Sequence, residues 1–167
     1  MRFPRITPVR VVLLLLAAGA FAAVGIALAA PAPGPQHRGT LVQRIRAHSD
    51  GVHMHTHGST DLIAQDIVYH PGDQSGWHYH PGLVLVQVDG PAGEFLTFHD
   101  KCHVFNIPTG QSFYETGHKP GLLESPSSNT TDITVHVMYV LPTGAPARIN
   151  TDPPNCDHHG HNHQPHR

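Results

Sequence analysis

The amino-acid sequence predicts an all-β domain, a sandwich or barrel built from short strands. Runs of aliphatic and β-branched residues recur about every 8–12 residues, with turn residues between them. The chain of 167 residues contains 16 Gly and 16 Pro, which indicates many turns and argues against a helical bundle. No segment keeps a helical hydrophobic period, so helices are expected to contribute little to the fold.

The first thirty residues have the organisation of an export signal. Three arginines precede an uncharged apolar run over residues 11–30, and Ala27-Leu28-Ala29 resembles a cleavage site. The sequence therefore predicts a signal peptide over residues 1–30 and a secreted, periplasmic or cell-surface protein. Because the same run is long enough to span a bilayer, an uncleaved N-terminal membrane anchor is the alternative.

The remaining chain is predicted to comprise a linker, one domain and a tail. Residues 31–39 contain three prolines and are predicted to be a Pro-rich linker. The predicted domain covers residues 40–150, and residues 151–167 form a His-rich tail with too few apolar residues to pack. The strand-like runs of the domain are residues 41–46, 61–69, 83–88, 94–98, 104–107, 111–115 and 133–141.

Charge and motif content exclude several functional classes. The chain has 10 Lys+Arg against 12 Asp+Glu, and no basic patch is present, so no nucleic-acid partner is expected. The sequence also lacks a nucleophile elbow, a phosphate-binding loop and the H-E-x-x-H zinc motif. The histidines and the two cysteines are therefore the candidate functional residues.

The two cysteines, Cys102 and Cys156, are predicted to form a disulfide. An even number of cysteines in an exported protein favours pairing, because the compartment is oxidising. Such a bond would tie the C-terminal segment to the domain. Two free thiols are the alternative.

The sequence contains 17 histidines, and the sharpest local pattern is His78-x-His80 after a Gly-rich turn. On an extended chain, side chains two residues apart project from the same face. Two imidazoles that share a face can converge on one metal ion. We therefore expect His78 and His80 to be the primary metal ligands.

The segment Gly72-(five residues)-His78-x-His80-Pro81-Gly82, followed by an apolar strand, resembles the first motif of the cupin family. Gly110-Gln111-Ser112-Phe113 stands where the second motif should begin. The resemblance covers about residues 40–150 and implies a single double-stranded β-helix, which is a jelly-roll barrel. This fold is consistent with the number of strand-like runs.

The resemblance supplies two of the four metal ligands of that family, His78 and His80. The stretch after His80 has no carboxylate before Asp89, and the second-motif His position falls near Gly121 or Leu122. His118 is the candidate third ligand, although either His118 or Glu124 could serve only if the turn is rebuilt. His136, on the last strand, could also face the interior. A site with two histidines and one carboxylate is therefore not expected from the sequence.

Two further groups of histidines are secondary metal candidates. His53, His55 and His57 would line one face of a strand and could bind Cu, Zn or Ni, although a polar solvent face is equally compatible. The tail is the other group, because short His-rich tracts are typical of metal binding. Its candidate ligands are His158, His159, His161 and His163.

Three functions are compatible with these observations. The first is an exported, non-catalytic cupin protein that binds a divalent transition metal (Zn, Cu, Ni, Fe or Mn) through barrel and tail histidines. The second is a small metal-dependent cupin enzyme of dioxygenase or isomerase type. The third is a metal-free barrel that binds a small molecule. Because a fold alone does not specify function, the geometry of the site must distinguish them.

Overall fold

The computed structural model describes residues 29–117, 121–126 and 130–156, and all of its regular elements are β-strands. The strands are β1 (Ala32–Pro33), β2 (His37–Leu41), β3 (Arg46–Ser49), β4 (Val52–His55), β5 (Thr60–Tyr69), β6 (His78–Tyr79), β7 (Leu83–Asp89), β8 (Phe95–Asp100), β9 (His103–Pro108), β10 (Ser112–Glu115), β11 (Leu122–Pro126), β12 (Ile133–Pro142) and β13 (Ile149–Asn150). Within the described ranges, no helix has the length and apolar character that crossing a membrane requires. Most of the predicted signal segment and residues 157–167 of the predicted tail lie outside these ranges.

The strands from β5 to β12 divide between two antiparallel sheets. One sheet has the order β1-β5-β12-β7-β10, with β2 also paired to β5, and the other has the order β13-β6-β11-β8-β9. Four of these eight strands lie in each sheet, in the arrangement of a jelly roll. The predicted fold class is confirmed, although hydrogen bonds between described strands do not join the two sheets into a closed barrel.

Alternating burial along the strands creates the core. In β7 and β12 every second side chain is buried, as expected for sheets with one face toward the core and one toward solvent. Fully burying one such aliphatic side chain contributes roughly 1.5–3 kcal/mol relative to exposure. The side chains with no exposed surface are Ile63, Val88, Leu96, Ile133 and Leu141.

Residues 31–39, predicted to be a linker, instead contribute strands to the first sheet. β1 pairs with the end of β5 through Ala32 and Val68, and β2 pairs along the same strand from His37 to Leu41. Proline is tolerated here because β1 is an edge strand, where a missing N–H donor removes no ladder hydrogen bond. The folded unit therefore begins before residue 40.

The predicted disulfide is confirmed. Cys102 and Cys156 are bonded across a sequence separation of 54 residues. Cys102 lies in the turn between β8 and β9, and Cys156 lies beyond β13. The bond therefore fixes the segment that follows β13 against the second sheet.

A buried carboxylate, Asp61, joins the N-terminal strands to the domain. Its side chain is 2% exposed. It accepts hydrogen bonds from the Thr40 hydroxyl at 2.6 Å and the Gly144 N–H at 2.9 Å, and it pairs with Arg38. The hydrogen bond from Thr40, followed by those from Gly144 and Arg38, lowers the pKa of Asp61 to about 2.

We expect Asp61→Asn to destabilise the protein at neutral pH and to do so less as the pH falls. The unfolded carboxyl titrates near 3.8 whereas the folded one titrates near 2, so its stabilising contribution is complete above about pH 5 and is lost progressively towards pH 2. Urea unfolding at a series of pH values measures this difference, with the exposed Asp152→Asn as the control. A gap between wild type and variant that is constant from pH 6 to pH 2 would contradict the assignment.

Candidate metal centre

His78 and His80 both point into the space between the two sheets. The turn at Gly76 leads into the short strand β6, which places the two side chains on one face, as their spacing predicts. His78 is 4% exposed and His80 is 3% exposed. Their rings meet edge to face with centroids 4.8 Å apart.

Backbone carbonyls fix the orientation of both rings. His78 Nδ1 lies 2.9 Å from the Gly76 carbonyl oxygen, and His80 Nδ1 lies against that of Ala147. Because a carbonyl can only accept, each Nδ1 carries the hydrogen and each Nε2 retains its lone pair. Hydrogen bonds of this kind set the tautomer that a metal ligand requires.

Two buried glutamates face these Nε2 atoms. Glu115, the last residue of β10, places Oε2 2.9 Å from His80 Nε2. Glu124, in β11, places Oε1 3.9 Å from His78 Nε2. Its other oxygen accepts a hydrogen bond from the Tyr69 hydroxyl at 3.2 Å. The carboxyl groups of Glu115 and Glu124 are close enough for each to affect the pKa of the other.

One ligand atom from each of His78, His80 and Glu115 lies within 4.8 Å of the others, and the described residues form no second group of this kind. Two ligands each ~2.1 Å from a metal ion and at right angles to each other are ~3 Å apart. The distance between His80 Nε2 and Glu115 Oε2 has this value. This pair of donors therefore has the spacing of two ligands of one divalent transition metal ion.

Burial controls the protonation of the four side chains. Burial lowers the pKa of both imidazoles, which favours the neutral form that binds metal. Burial, reinforced by the charge of Glu124, raises the pKa of Glu115 well above its usual range. Burial also acts to raise the pKa of Glu124. The charge that His78 carries when protonated, together with the interactions of Glu124 with Glu115 and Ser75, outweighs burial and lowers this pKa. Without metal, a proton therefore binds Glu115 in preference to Glu124.

No protein-family model and no curated protein matches the sequence. Among solved structures, a cupin domain from Bordetella pertussis Tohama I is 14% identical with a TM-score of 0.44, over 71% of this chain and 100% of that one. A double-stranded β-helix protein from Klebsiella pneumoniae subsp. pneumoniae MGH 78578 is 22% identical with a TM-score of 0.41, over 65% and 86%. A structure of DMSP lyases is 16% identical with a TM-score of 0.43, over 55% of this chain and 44% of that one, so the match spans less than half of that protein.

The strand order of the two sheets is that of a jelly roll, which is a double-stranded β-helix. In this fold the second sheet supplies His78 and Glu124 from β6 and β11, whereas the first sheet supplies Glu115 from β10. The site therefore lies between the sheets.

The expectation that this site would lack a carboxylate is wrong. Glu124, named only as a substitute ligand, faces His78, and Glu115, which was not named, faces His80. Strand alternation contains the signal for both, since Glu115 shares the inward face of Phe113 and Glu124 that of Leu122. His118, the third ligand expected from the sequence, lies outside the described residues.

The other candidate histidines are not part of this centre. His53, His55 and His57 are exposed on and after β4, where His53 stacks on His48 with centroids 4.0 Å apart. His136 faces solvent, with Nδ1 2.7 Å from an Asp66 oxygen. The tail candidates lie outside the described residues; they are His158, His159, His161 and His163.

The two histidines and both glutamates lie on the wall of a cavity of about 720 Å³ between the two sheets. The wall includes the four side chains of the centre together with Tyr69 and Tyr139, and polar side chains such as Gln36 and Gln65 also line it. The larger apolar side chains on the wall include Ile67, Val84, Val86, Leu96, Phe113, Val135 and Val137. A cavity of this size and composition is typical of small-molecule sites.

Proposed function

We propose that this protein binds one divalent transition-metal ion through His78, His80 and Glu115, with Glu124 available as a fourth ligand. The observation that carries the proposal is the orientation of both Nε2 lone pairs toward a buried carboxylate. Two imidazoles and a carboxylate suit Fe(II), Mn(II), Ni(II) or Zn(II) better than metals that prefer thiolates. We place the protein outside the cytoplasm, because its disulfide is of the kind that persists in oxidising compartments.

A catalytic role is the second candidate, and the cavity beside the centre favours it. A metal held by three protein side chains keeps open positions, and a bound metal would act as a Lewis acid toward a small molecule there. The chain itself supplies hydrogen-bonding groups on the wall of this cavity. The Tyr139 hydroxyl, which donates to Gln65 at 3.4 Å, could also orient such a molecule.

Metal titration of a chain that ends at Cys156 tests the proposal without the His-rich tail. Wild type is expected to bind one equivalent of Zn(II) or Mn(II), measured by elemental analysis after dialysis. The variant His78→Ala/His80→Ala should lose this equivalent, whereas His48→Ala/His53→Ala, an exposed pair of histidines, should retain it. Equal stoichiometry in both variants would place any metal elsewhere.

We expect Cys102→Ser/Cys156→Ser to weaken metal binding by about 10-fold, although neither cysteine contacts the centre. The disulfide fixes the segment in which β13 pairs with β6 and the Ala147 carbonyl orients His80. Loss of such an orienting partner typically costs 10–100-fold in metal affinity. Competition against a chromogenic chelator measures the affinity. An affinity unchanged in the variant and in the reduced wild type would show that the segment stays in place without the bond.

A further inference from the structure

Among the described residues that line the cavity, Arg148 is the one Lys or Arg side chain. It follows Ala147, whose carbonyl oxygen orients His80. The other polar groups on the walls are neutral or acidic, and the rest of the walls are apolar. This guanidinium is therefore the positive charge that a molecule entering the cavity would meet.

Neutral acceptors hold the Arg148 side chain in place. Its Nη2 donates to the carbonyl oxygens of Ser75 and Gly76, the latter at 3.3 Å, and its Nε donates to Asn150 Oδ1 at 2.7 Å. Within the described ranges, no carboxylate forms an ion pair with it and Nη1 has no acceptor. The side chain is thus oriented without a direct ion pair, although its charge acts on Glu115 from a distance.

The guanidinium lies next to the metal centre. The Gly76 carbonyl oxygen that accepts from Arg148 Nη2 also lies 2.9 Å from His78 Nδ1. One peptide group therefore links the cation to a metal ligand. If Arg148 bound an anionic group, the rest of that molecule could extend toward His78 or along the apolar side chains of the wall.

We propose that Arg148 binds the carboxylate of a small organic acid whose apolar part occupies the cavity, an inference that rests on the proposed metal function. Arginine suits this role because its planar N–H groups match a carboxylate. Glu115 and Glu124 would repel such an anion in the metal-free protein, and a divalent metal ion would offset their charge. The acid therefore binds more tightly when metal is present.

Hexanoate and its neutral analogue hexanamide test the proposal on the full chain, with and without Zn(II). Trp77, the single tryptophan, lines the cavity, so its fluorescence reports binding. Hexanoate is expected to bind at least about 10-fold more tightly than hexanamide. Arg148→Gln should remove this preference, Arg148→Lys should retain part of it, and Arg46→Gln, on the exposed β3 strand, should leave it unchanged.

The outcomes separate this inference from the metal proposal. Equal affinities for hexanoate and hexanamide, absence of hexanoate binding, or a preference that survives Arg148→Gln in a protein with wild-type thermal unfolding would each overturn the role of Arg148. The preference for hexanoate over hexanamide could depend on Arg148 but not on Zn(II), while metal titration finds no ion bound between the sheets. That combination would support the acid site and refute the metal centre.

Discussion

Glu115→Gln is expected to reduce metal affinity more than 100-fold while leaving the metal-free protein at least as stable as wild type. Loss of a residue that only orients a ligand costs 10–100-fold, so loss of a direct ligand should cost more. Gln keeps the size and the hydrogen-bonding capacity of Glu. It also removes a carboxyl that is buried beside Glu124 and is therefore costly to ionise.

Thermal unfolding with and without Zn(II) measures both effects in one experiment. Wild type should gain stability with metal, because a ligand that binds only the folded state raises the unfolding temperature. At a Zn(II) concentration well below its weakened dissociation constant, Glu115→Gln should unfold at the same temperature with and without metal. A variant that retains the metal-induced shift would exclude Glu115 as a ligand, and a large loss of metal-free stability would indicate a structural role instead.

Gly117→Ala is expected to destabilise the fold by about 3 kcal/mol and to disturb the centre. A Cβ atom at residue 117 would lie 2.3 Å from the His80 carbonyl oxygen and 3.1 Å from the Gly82 nitrogen. Both are backbone atoms, so the strain cannot be relieved by rotation of a side chain. Overpacking of this kind typically costs 1–3 kcal/mol and occasionally more.

Gly39→Ala is the matched control, because a Cβ atom at residue 39 would meet nothing within 4 Å. Its effect on stability should remain within about 0.5 kcal/mol, as for other surface substitutions. Urea unfolding of both variants, together with their Zn(II) affinities, measures the difference. Similar free energies of unfolding for the two variants would show that the loop at Gly117 moves away from His80 at little cost.

Local spacing was sufficient to predict the paired histidines, and long-range strand pairing explains why Glu115 was missed and Glu124 was named only as a substitute. His78 and His80 are neighbours on one short stretch, and a Gly-rich turn precedes them. Glu115 reaches His80 only through the pairing of β10 with β7, and Glu124 reaches His78 through β11. Pairings of this kind depend on the tertiary register of strands, which the sequence alone does not specify.

The strand runs were predictable because alternation and turn residues are local properties. The N-terminal strands were not, because Pro-rich composition is typical of linkers. Their pairing depends on the free edge of β5, to which β1 and β2 add. Asp61, which joins Arg38 and Thr40, stabilises this addition through side chains far apart in the sequence.

The contribution of ligands from both sheets has a consequence for the order of folding events. A metal ion at this centre cannot nucleate the domain, because no short segment supplies three of its ligands. Strand pairings between distant parts of the chain must form first, and such topologies fold slowly. In stopped-flow refolding, metal capture should therefore follow the main increase in β-structure, and excess Zn(II) should slow unfolding without accelerating folding.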